Sequence, residues 1–137
     1  MVQSSLLVIK PDAVQGGHIG EIIAMVEKAD LKITGLVMRR LSRAEAEGFY
    51  AVHQGKDFFS GLVEFICSGP VVAVKVEGED AVRRLRALAG DTDPSKAEPG
   101  TIRQRFGSSV RMNAVHAANP AEDVARELAF FFGTNQP

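Results

Sequence analysis

Three histidines are the first candidates for chemistry in this sequence, because an imidazole is nucleophilic and largely unprotonated near neutral pH. His18 follows two glycines at the start of a predicted helix, where a solvated surface residue is the favoured interpretation. His53 lies three residues after Tyr50, which favours a structural hydrogen bond near a helix end over catalysis. His116 ends a short apolar stretch after a long loop that carries arginines. It is therefore the candidate for proton or phosphate transfer, with a structural histidine as the alternative.

Arginines form the second group of candidates, since a guanidinium can bind phosphate oxygens through two parallel hydrogen bonds. Helical geometry places Arg83 outward and both Arg84 and Arg86 at the borders of an apolar stripe, so periodicity does not choose between the last two. The others lie in or beside the loop before the last predicted strand, namely Arg103, Arg105 and Arg111. Taken singly, each arginine is more often a surface charge.

The third candidate is a carboxylate, Glu127, in the final predicted helix. The apolar face of that helix consists of Val124, Leu128 and Phe131. Glu127 falls beside this face, where a carboxylate costs free energy unless it finds a partner. An arginine or a histidine would serve as that partner. The sequence contains no glycine-rich phosphate loop, paired-cysteine site or Ser-His-Asp signature.

Hydrophobic periodicity and turn residues define the elements that must position these side chains. Pro11 pushes Lys10 into extended backbone, which predicts a buried strand that ends in a lysine. Ser42 and Glu45 have the spacing of a capping box. The predicted strands are Leu6–Ile9, Leu31–Leu41, Val71–Val76 and Asn113–His116. The predicted helices are His18–Ala29, Ser42–Tyr50, Phe58–Cys67, Ala81–Ala89 and one capped by Asn119-Pro120, with Glu122 and Asp123 in its first turn.

The stretch from Gly90 to Met112 has no clear periodicity and is predicted to be a long loop, which in a small domain is usually functional or disordered. The order of the elements around it matches the β-α-β-β-α-β pattern of a ferredoxin-like α/β (α+β) fold. We expect a four-stranded antiparallel sheet covered by helices on one face. At 137 residues, the chain 1–137 is expected to be a single domain.

Composition and charge exclude several classes of protein. The net charge of −1 gives no general attraction to nucleic acids or anionic membranes, so neither is expected as a partner. No apolar run is long enough to span a bilayer, and the first residues lack the charged head of a signal peptide. Cys67 is the single cysteine and lies in an apolar stretch, which predicts a buried, inert thiol in a reducing compartment. A soluble cytoplasmic protein is expected.

Several short motifs resemble, in their order along the chain, those of nucleoside diphosphate kinases. They are Lys10-Pro11-Asp12-Ala13-Val14, Tyr50 before Phe58-Phe59, Ser68-Gly69-Pro70, Pro99-Gly100-Thr101-Ile102-Arg103 and Asn113-Ala114-Val115-His116. The resemblance implies a ping-pong kinase that moves the terminal phosphate of a nucleoside triphosphate, mainly ATP, to a nucleoside diphosphate. It also implies magnesium that travels with the nucleotide, no dedicated metal ligands on the protein, and a homo-oligomer that is a tetramer or a hexamer.

The same resemblance implies roles for residues that match the family's motifs. His116 would be the nucleophile that forms a phosphohistidine, and Glu127 would accept a hydrogen bond from its second ring nitrogen. Lys10 and Tyr50 would hold the phosphate in transfer, and Lys10 with Asn113 would bind the sugar 3′-hydroxyl. Lysine and arginine side chains suit phosphoryl transfer, because that reaction depends on positioning and on electrostatic stabilisation of negative charge.

The remaining family positions concern the rest of the nucleotide. The other phosphates would be bound by Arg86, Thr92 and Arg103. Phe58 and Val110 would sandwich the base, and Leu62 would support that pocket. Stacking of this kind tolerates every base, because each base presents a flat π-face.

One stretch departs from the family's pattern. Ala117-Ala118-Asn119-Pro120 stand where the family commonly has Gly-Ser-Asp-Ser, and Asp57 stands where a proline is common. The lost hydroxyl and carboxylate affect the tuning of His116, while the nucleophile and the phosphate ligands remain, so activity is expected. The alternatives are a non-catalytic nucleotide-binding regulatory module on the same scaffold and a single-stranded nucleic-acid binder. His116 together with Lys10, Tyr50 and Glu127 argues against both.

Overall fold

The computed structural model describes residues 2–119 and 124–133 of the chain. Within these ranges the strands are β1 (Val2–Ile9), β2 (Lys32–Arg39), β3 (Val71–Glu79) and β4 (Val115–Ala117). The helices are α1 (Pro11–Gln15), α2 (Ile19–Lys28), α3 (Arg43–Phe49), α4 (Phe59–Ile66), α5 (Ala81–Ala89), α6 (Ile102–Phe106) and α7 (Val124–Phe132). Two short 3₁₀ turns cover Ala51–His53 and Pro94–Lys96.

The four strands of the described ranges form one antiparallel sheet in the order β2-β3-β1-β4. β1 is central, and Val8 lies opposite Ala73 of β3 on one side and His116 of β4 on the other. The side chains of Leu6 to Ile9 are fully buried, as expected for a continuous apolar run in a central strand. The candidate histidine is thereby held on an edge strand against the most buried strand of the sheet.

Helices cover both faces of the sheet, so the expectation of helices on one face is wrong. Leu7 and Ile9 pack in a hydrophobic cluster with residues of α2 and α5. Leu6 and Val8 point the other way and pack in a second cluster with residues of α3, α4 and α7. Because alternate residues of a strand face opposite sides, a strand that is apolar at every position needs a cover on both sides.

The structure contains two short helices that the sequence prediction missed. α1 begins at Pro11, whose fixed φ suits the first helical position as well as ending the strand before it. α6 lies inside the stretch predicted to be a loop and begins after Thr101, whose side chain accepts a hydrogen bond from Gln104 N. Each has five residues, too few to show a helical periodicity.

Several local predictions can be compared with the structure directly. The capping box is confirmed, since Ser42 Oγ accepts from Glu45 N at 3.1 Å and Glu45 Oε1 accepts from Ser42 N at 2.9 Å. The last strand is displaced from its predicted bounds and begins at Val115. Cys67 is only partly buried, contrary to prediction. Of the predicted helix cap, Pro120, Glu122 and Asp123 lie outside the described residues.

Candidate active site

The end of β1 places Lys10 at the base of a cavity. Its backbone N–H donates to Ala114 O at 2.9 Å, which joins the end of β1 to the segment before β4. Its Nζ donates to Asn113 Oδ1 and to Arg111 O, both at 2.9 Å. Burial lowers the pKa of Lys10 to about 8, although the nearby Asp12 carboxylate opposes that effect. A lysine held in this way is a preorganised cation that still carries its charge near neutral pH.

The segment between Lys10 and β4 has a strained backbone at Ala114, whose φ is +77°. Asp12 supports it, because its Oδ2 accepts from Ala114 N at 3.0 Å. Next to it, Asn113 donates from Nδ2 to Thr92 O at 3.0 Å. These bonds tie Lys10, Asn113 and Thr92 to one wall of the cavity, although they are far apart in sequence.

His116 and Glu127 form a hydrogen-bonded pair at the centre of the site. His116 Nε2 lies 2.9 Å from Glu127 Oε1, and the exposed fractions of the two side chains are 16% and 1%. The pair forms because β4 aims His116 toward the helical layer in which α7 carries Glu127. The imidazole also packs edge-on against the ring of Phe49, with the ring centroids 5.2 Å apart. With Nε2 engaged by the carboxylate, Nδ1 is the ring nitrogen left for chemistry.

Two arginines are fixed to the backbone around the histidine. Arg86 Nη1 donates to Ala117 O at 3.1 Å, whereas Arg84 donates to Glu79 O and Ala29 O on the far side of α5. The structure thus makes the choice that periodicity left open. Arg103 donates to Gly90 O and to Val115 O, both at 2.9 Å. Burial and then the nearby Arg86 lower the pKa of Arg103 to about 10, so it stays charged at neutral pH.

The cavity has a volume of about 500 Å³ and is lined by residues from both halves of the chain. At its mouth, Phe58 and Val110 are exposed by 44% and 58%, and together they give the cavity an apolar rim. Leu62 lies one helical turn after Phe58 and also lines the cavity. Apolar surfaces at the mouth and cations at the base suit a ligand with a flat ring at one end and phosphates at the other.

The structure brings the sequence-predicted residues together. The cavity is lined by Lys10, Tyr50, Phe58, Leu62, Arg86, Thr92, Arg103, Val110, Asn113 and His116. Glu127 lies behind the imidazole and contacts the site through it. Arg105 lies elsewhere and donates to Glu21 Oε2 at 3.1 Å.

Five further residues line the cavity without a role implied by the family resemblance: His53, Arg111, Val115, Ala117 and Asn119. Of these, only Arg111 had been considered as a phosphate-binding candidate. His53 had been interpreted as structural, and its Nδ1 does lie 3.2 Å from Lys56 Nζ, yet its ring also borders the cavity 5.3 Å from that of Phe58. Burial lowers the pKa of His53, and the charge of Lys56 adds to the effect. His18, expected to be solvated, instead stacks on Phe106 at 4.5 Å between ring centroids. No signal in the sequence places His53 beside the cavity, because its position follows from the turn after α3.

The donor set of the cavity is cationic and amide-like. The lining residues include no carboxylate, and in the described part of the chain no cluster of three His, Cys, Asp or Glu residues could hold a metal ion. Among the same residues, no helix is long and apolar enough to cross a membrane. The arrangement is therefore suited to binding polyphosphate rather than to coordinating a bare cation.

A histidine–carboxylate pair that faces fixed cations, on a ferredoxin-like sheet, is an arrangement suited to phosphate chemistry. Comparison with known proteins identifies the family. The family model for nucleoside diphosphate kinase matches residues 3–136. A nucleoside diphosphate kinase of Desulfovibrio desulfuricans is 51% identical over 132 residues, which covers 96% of this chain and 95% of that protein. The chain belongs to the nucleoside diphosphate kinase family.

Solved structures agree with this assignment. The nucleoside diphosphate kinase of Aquifex aeolicus superposes with a TM-score of 0.95 at 39% identity, over 98% of this chain and 97% of that one. A halophilic nucleoside diphosphate kinase from Halobacterium salinarum, solved in complex with CDP, gives a TM-score of 0.92 at 41% identity, over 96% and 88% of the two chains. The predicted family, its enzymatic class and the ferredoxin-like fold are confirmed.

Proposed function

We propose that this nucleoside diphosphate kinase transfers the terminal phosphate from a nucleoside triphosphate, mainly ATP, to a nucleoside diphosphate through a phosphohistidine on His116. The observation that carries the proposal is the 2.9 Å contact between His116 Nε2 and Glu127 Oε1 at the wall of a cationic cavity. The contact engages one ring nitrogen and leaves the other for attack. The roles below follow from that geometry and from the matching family positions.

In the first half-reaction, the lone pair of His116 Nδ1 attacks the terminal phosphorus. An N–P bond forms while the bond from phosphorus to the bridging oxygen breaks, and the nucleoside diphosphate leaves with that electron pair. Glu127 accepts the hydrogen bond of the Nε2 proton and stabilises the positive charge that develops on the ring. A second nucleoside diphosphate then attacks the phosphohistidine through its terminal oxygen, and the N–P electrons return to the histidine.

The cations around His116 stabilise the negative charge on the group being transferred. Lys10 and the Tyr50 hydroxyl hold that phosphoryl group, while Arg86, Arg103 and the Thr92 hydroxyl hold the other phosphates. Since Lys10 and Arg103 are already fixed by hydrogen bonds to Asn113, Gly90 and Val115, little reorganisation is needed when the substrate binds.

The nucleoside binds toward the mouth of the cavity. Phe58 and Val110 stack on the two faces of the base with Leu62 beneath, and the 3′-hydroxyl bonds to Lys10 and Asn113. A related enzyme was solved with CDP, which supports a site that takes a nucleoside diphosphate. Contact through base faces accounts for tolerance of different bases.

Magnesium enters with the nucleotide in this proposal. Bound with the nucleotide, it would supply a Lewis acid that neutralises phosphate charge. The cavity lining, rich in cations and lacking carboxylates, fits an ion held by phosphate oxygens rather than by protein side chains. The chain's own contribution would be the cations that bind the phosphates, namely Lys10, Arg86 and Arg103.

The proposal extends to the domain organisation, the oligomeric state and the location of the enzyme. We assign 1–137 to a single domain, since the family model matches 3–136 and one sheet carries both hydrophobic clusters. A homo-oligomer, tetramer or hexamer, is supported by the edge strand β2, where Leu36 and Met38 are each 55% exposed. A cytoplasmic location suits a chain with a single cysteine, Cys67. Sedimentation velocity tests the assembly, and a monomer at micromolar concentration would contradict it.

The phosphohistidine can be tested by labelling. Incubation with radiolabelled ATP and magnesium should give an acid-labile, base-stable phosphoprotein, and His116→Ala should abolish it. His18→Gln is the matched control, because His18 lies outside the cavity and should leave labelling intact. Undiminished labelling of a folded His116→Ala protein would overturn the assignment. If the natural protein bound ATP without any labelling, the non-catalytic regulatory module would be the better reading.

A further inference from the structure

Arg111 is a cavity residue that the proposed mechanism does not use. Its guanidinium lies directly over Gly61 of α4: a methyl group at that glycine would lie 2.6 Å from Arg111 Cζ and 2.7 Å from Nη1. The absence of a side chain at position 61 is thus what lets the arginine cross from the loop before β4 to the helix opposite. Arg111 therefore spans the cavity between the segment of Val110 and the segment of Leu62.

The N–H donors of the Arg111 guanidinium have no acceptor among the described residues. Arg86 and Arg103 donate to backbone carbonyls, and Arg105 is paired with Glu21, but no described residue accepts a hydrogen bond from the Arg111 side chain, which is exposed. A guanidinium carries five N–H donors and no acceptor. Arg111 is therefore a cation at the cavity wall whose donors are available to a ligand.

The backbone of Arg111 locates it beside the proposed sugar site. Its carbonyl oxygen accepts a hydrogen bond from Lys10 Nζ at 2.9 Å, and the same Nζ donates to Asn113 Oδ1. Its charge is also near enough to contribute to the lowered pKa of Lys10. The arginine thus lies between the pair that binds the 3′-hydroxyl and the helix that supports the base. In a ribose the 2′-carbon lies between the 3′-carbon and the carbon that carries the base, so a 3′-hydroxyl held by Lys10 and Asn113 would place the 2′-hydroxyl on the side of the base, toward Arg111.

We propose that Arg111 donates a hydrogen bond to the 2′-hydroxyl of the bound nucleotide and so favours ribonucleotides over deoxyribonucleotides. The proposal rests on the proposed function, because it requires Lys10 and Asn113 to hold the neighbouring 3′-hydroxyl. The 2′-hydroxyl accepts as well as donates, and it is the group by which a protein distinguishes ribose from deoxyribose. Arg111 is thereby a residue that determines sugar specificity.

The test compares dissociation constants of GDP and dGDP, and of ADP and dADP, by isothermal titration calorimetry. The quantity of interest is the ratio of the deoxy constant to the ribo constant, in which contributions from base and phosphates cancel. Arg111→Met removes the donors, and this ratio should fall by about three- to tenfold, as for one hydrogen bond of ordinary net strength at an exposed side chain. Gly61→Ala should lower it too, because the methyl group displaces the guanidinium without removing it.

Arg43→Met is the matched control, since it removes an exposed guanidinium from α3, away from the cavity. An unchanged ratio in Arg111→Met overturns the proposal. If the ratio is unchanged while both ligands bind more weakly, Arg111 contacts the base or the phosphates instead of the 2′-hydroxyl. Labelling of Arg111→Met by ATP distinguishes failure of this proposal from failure of the proposed function. A labelled variant with an unchanged ratio refutes only the role of Arg111. A wild-type protein that is never labelled refutes the phosphohistidine instead.

Discussion

Replacing Glu127 tests how His116 is activated. Glu127 is 1% exposed, and its Oε1 lies 2.9 Å from His116 Nε2. Glu127→Ala removes the hydrogen bond, whereas Glu127→Gln keeps an acceptor but removes the charge that balances the ring as the N–P bond forms. A hydrogen bond to a charged group contributes about 1.5 to 3 kcal/mol. At about 1.4 kcal/mol per tenfold, Glu127→Ala should slow phosphorylation about 10- to 100-fold.

Phosphorylation by ATP should be followed in a stopped-flow single-turnover experiment, and ADP binding by calorimetry. The dissociation constant for ADP should change little, because the phosphate and sugar contacts remain. Thermal melting must first show that the variants are folded, since α7 also packs in the core. Glu47→Gln, an exposed carboxylate paired with Arg43 at 3.6 Å, is the control. A folded Glu127→Ala enzyme with wild-type phosphorylation kinetics would refute the role and leave Glu127 structural.

Two other predictions concern Lys10 and the segment after His116. Because burial lowers the pKa of Lys10 to about 8, kcat/KM should fall as the pH rises through about 8, where the amine loses the charge that binds phosphate. Lys10→Met should be slow throughout and lack that fall, and an unchanged pH profile would contradict the assignment. Ala118→Ser and Asn119→Asp should each change turnover by no more than about tenfold, since one such contact contributes on the order of 1 kcal/mol. An inactive natural protein that either change activates would show this departure to be decisive.

The pH dependence of stability has the opposite sign for the same lysine. Its pKa is lower in the folded chain than the ordinary value of 10.5, so the folded state binds the proton less tightly than the unfolded state. The cost of burying the charged amine is fully present below about pH 8 and is relieved as the pH rises toward the unfolded pKa. The contribution of Lys10 to the free energy of unfolding therefore rises with pH over the same range in which phosphate binding weakens.

The accuracy of the sequence prediction depended on whether a feature is local. The capping box of Ser42 and Glu45 could be predicted because both partners lie within one helical turn. The cost of an unpaired Glu127 was also visible, since the apolar face beside it is a local pattern. Periodicity could not choose between Arg84 and Arg86, because the choice depends on which carbonyls lie across α5, those of Glu79 and Ala29 or that of Ala117.

Pattern and composition in the sequence by themselves determined the order of elements, the buried run of β1 and, through motifs in order, the family. Only the tertiary structure decided which faces of the sheet are covered and which residues meet in the cavity. Arg111 and Gly61 are fifty residues apart in sequence and make contact only because α4 and the loop before β4 pack on opposite sides of the same cavity. Local spacing encodes which face of an element is apolar, but the distance between side chains on different elements is set by how those faces pack.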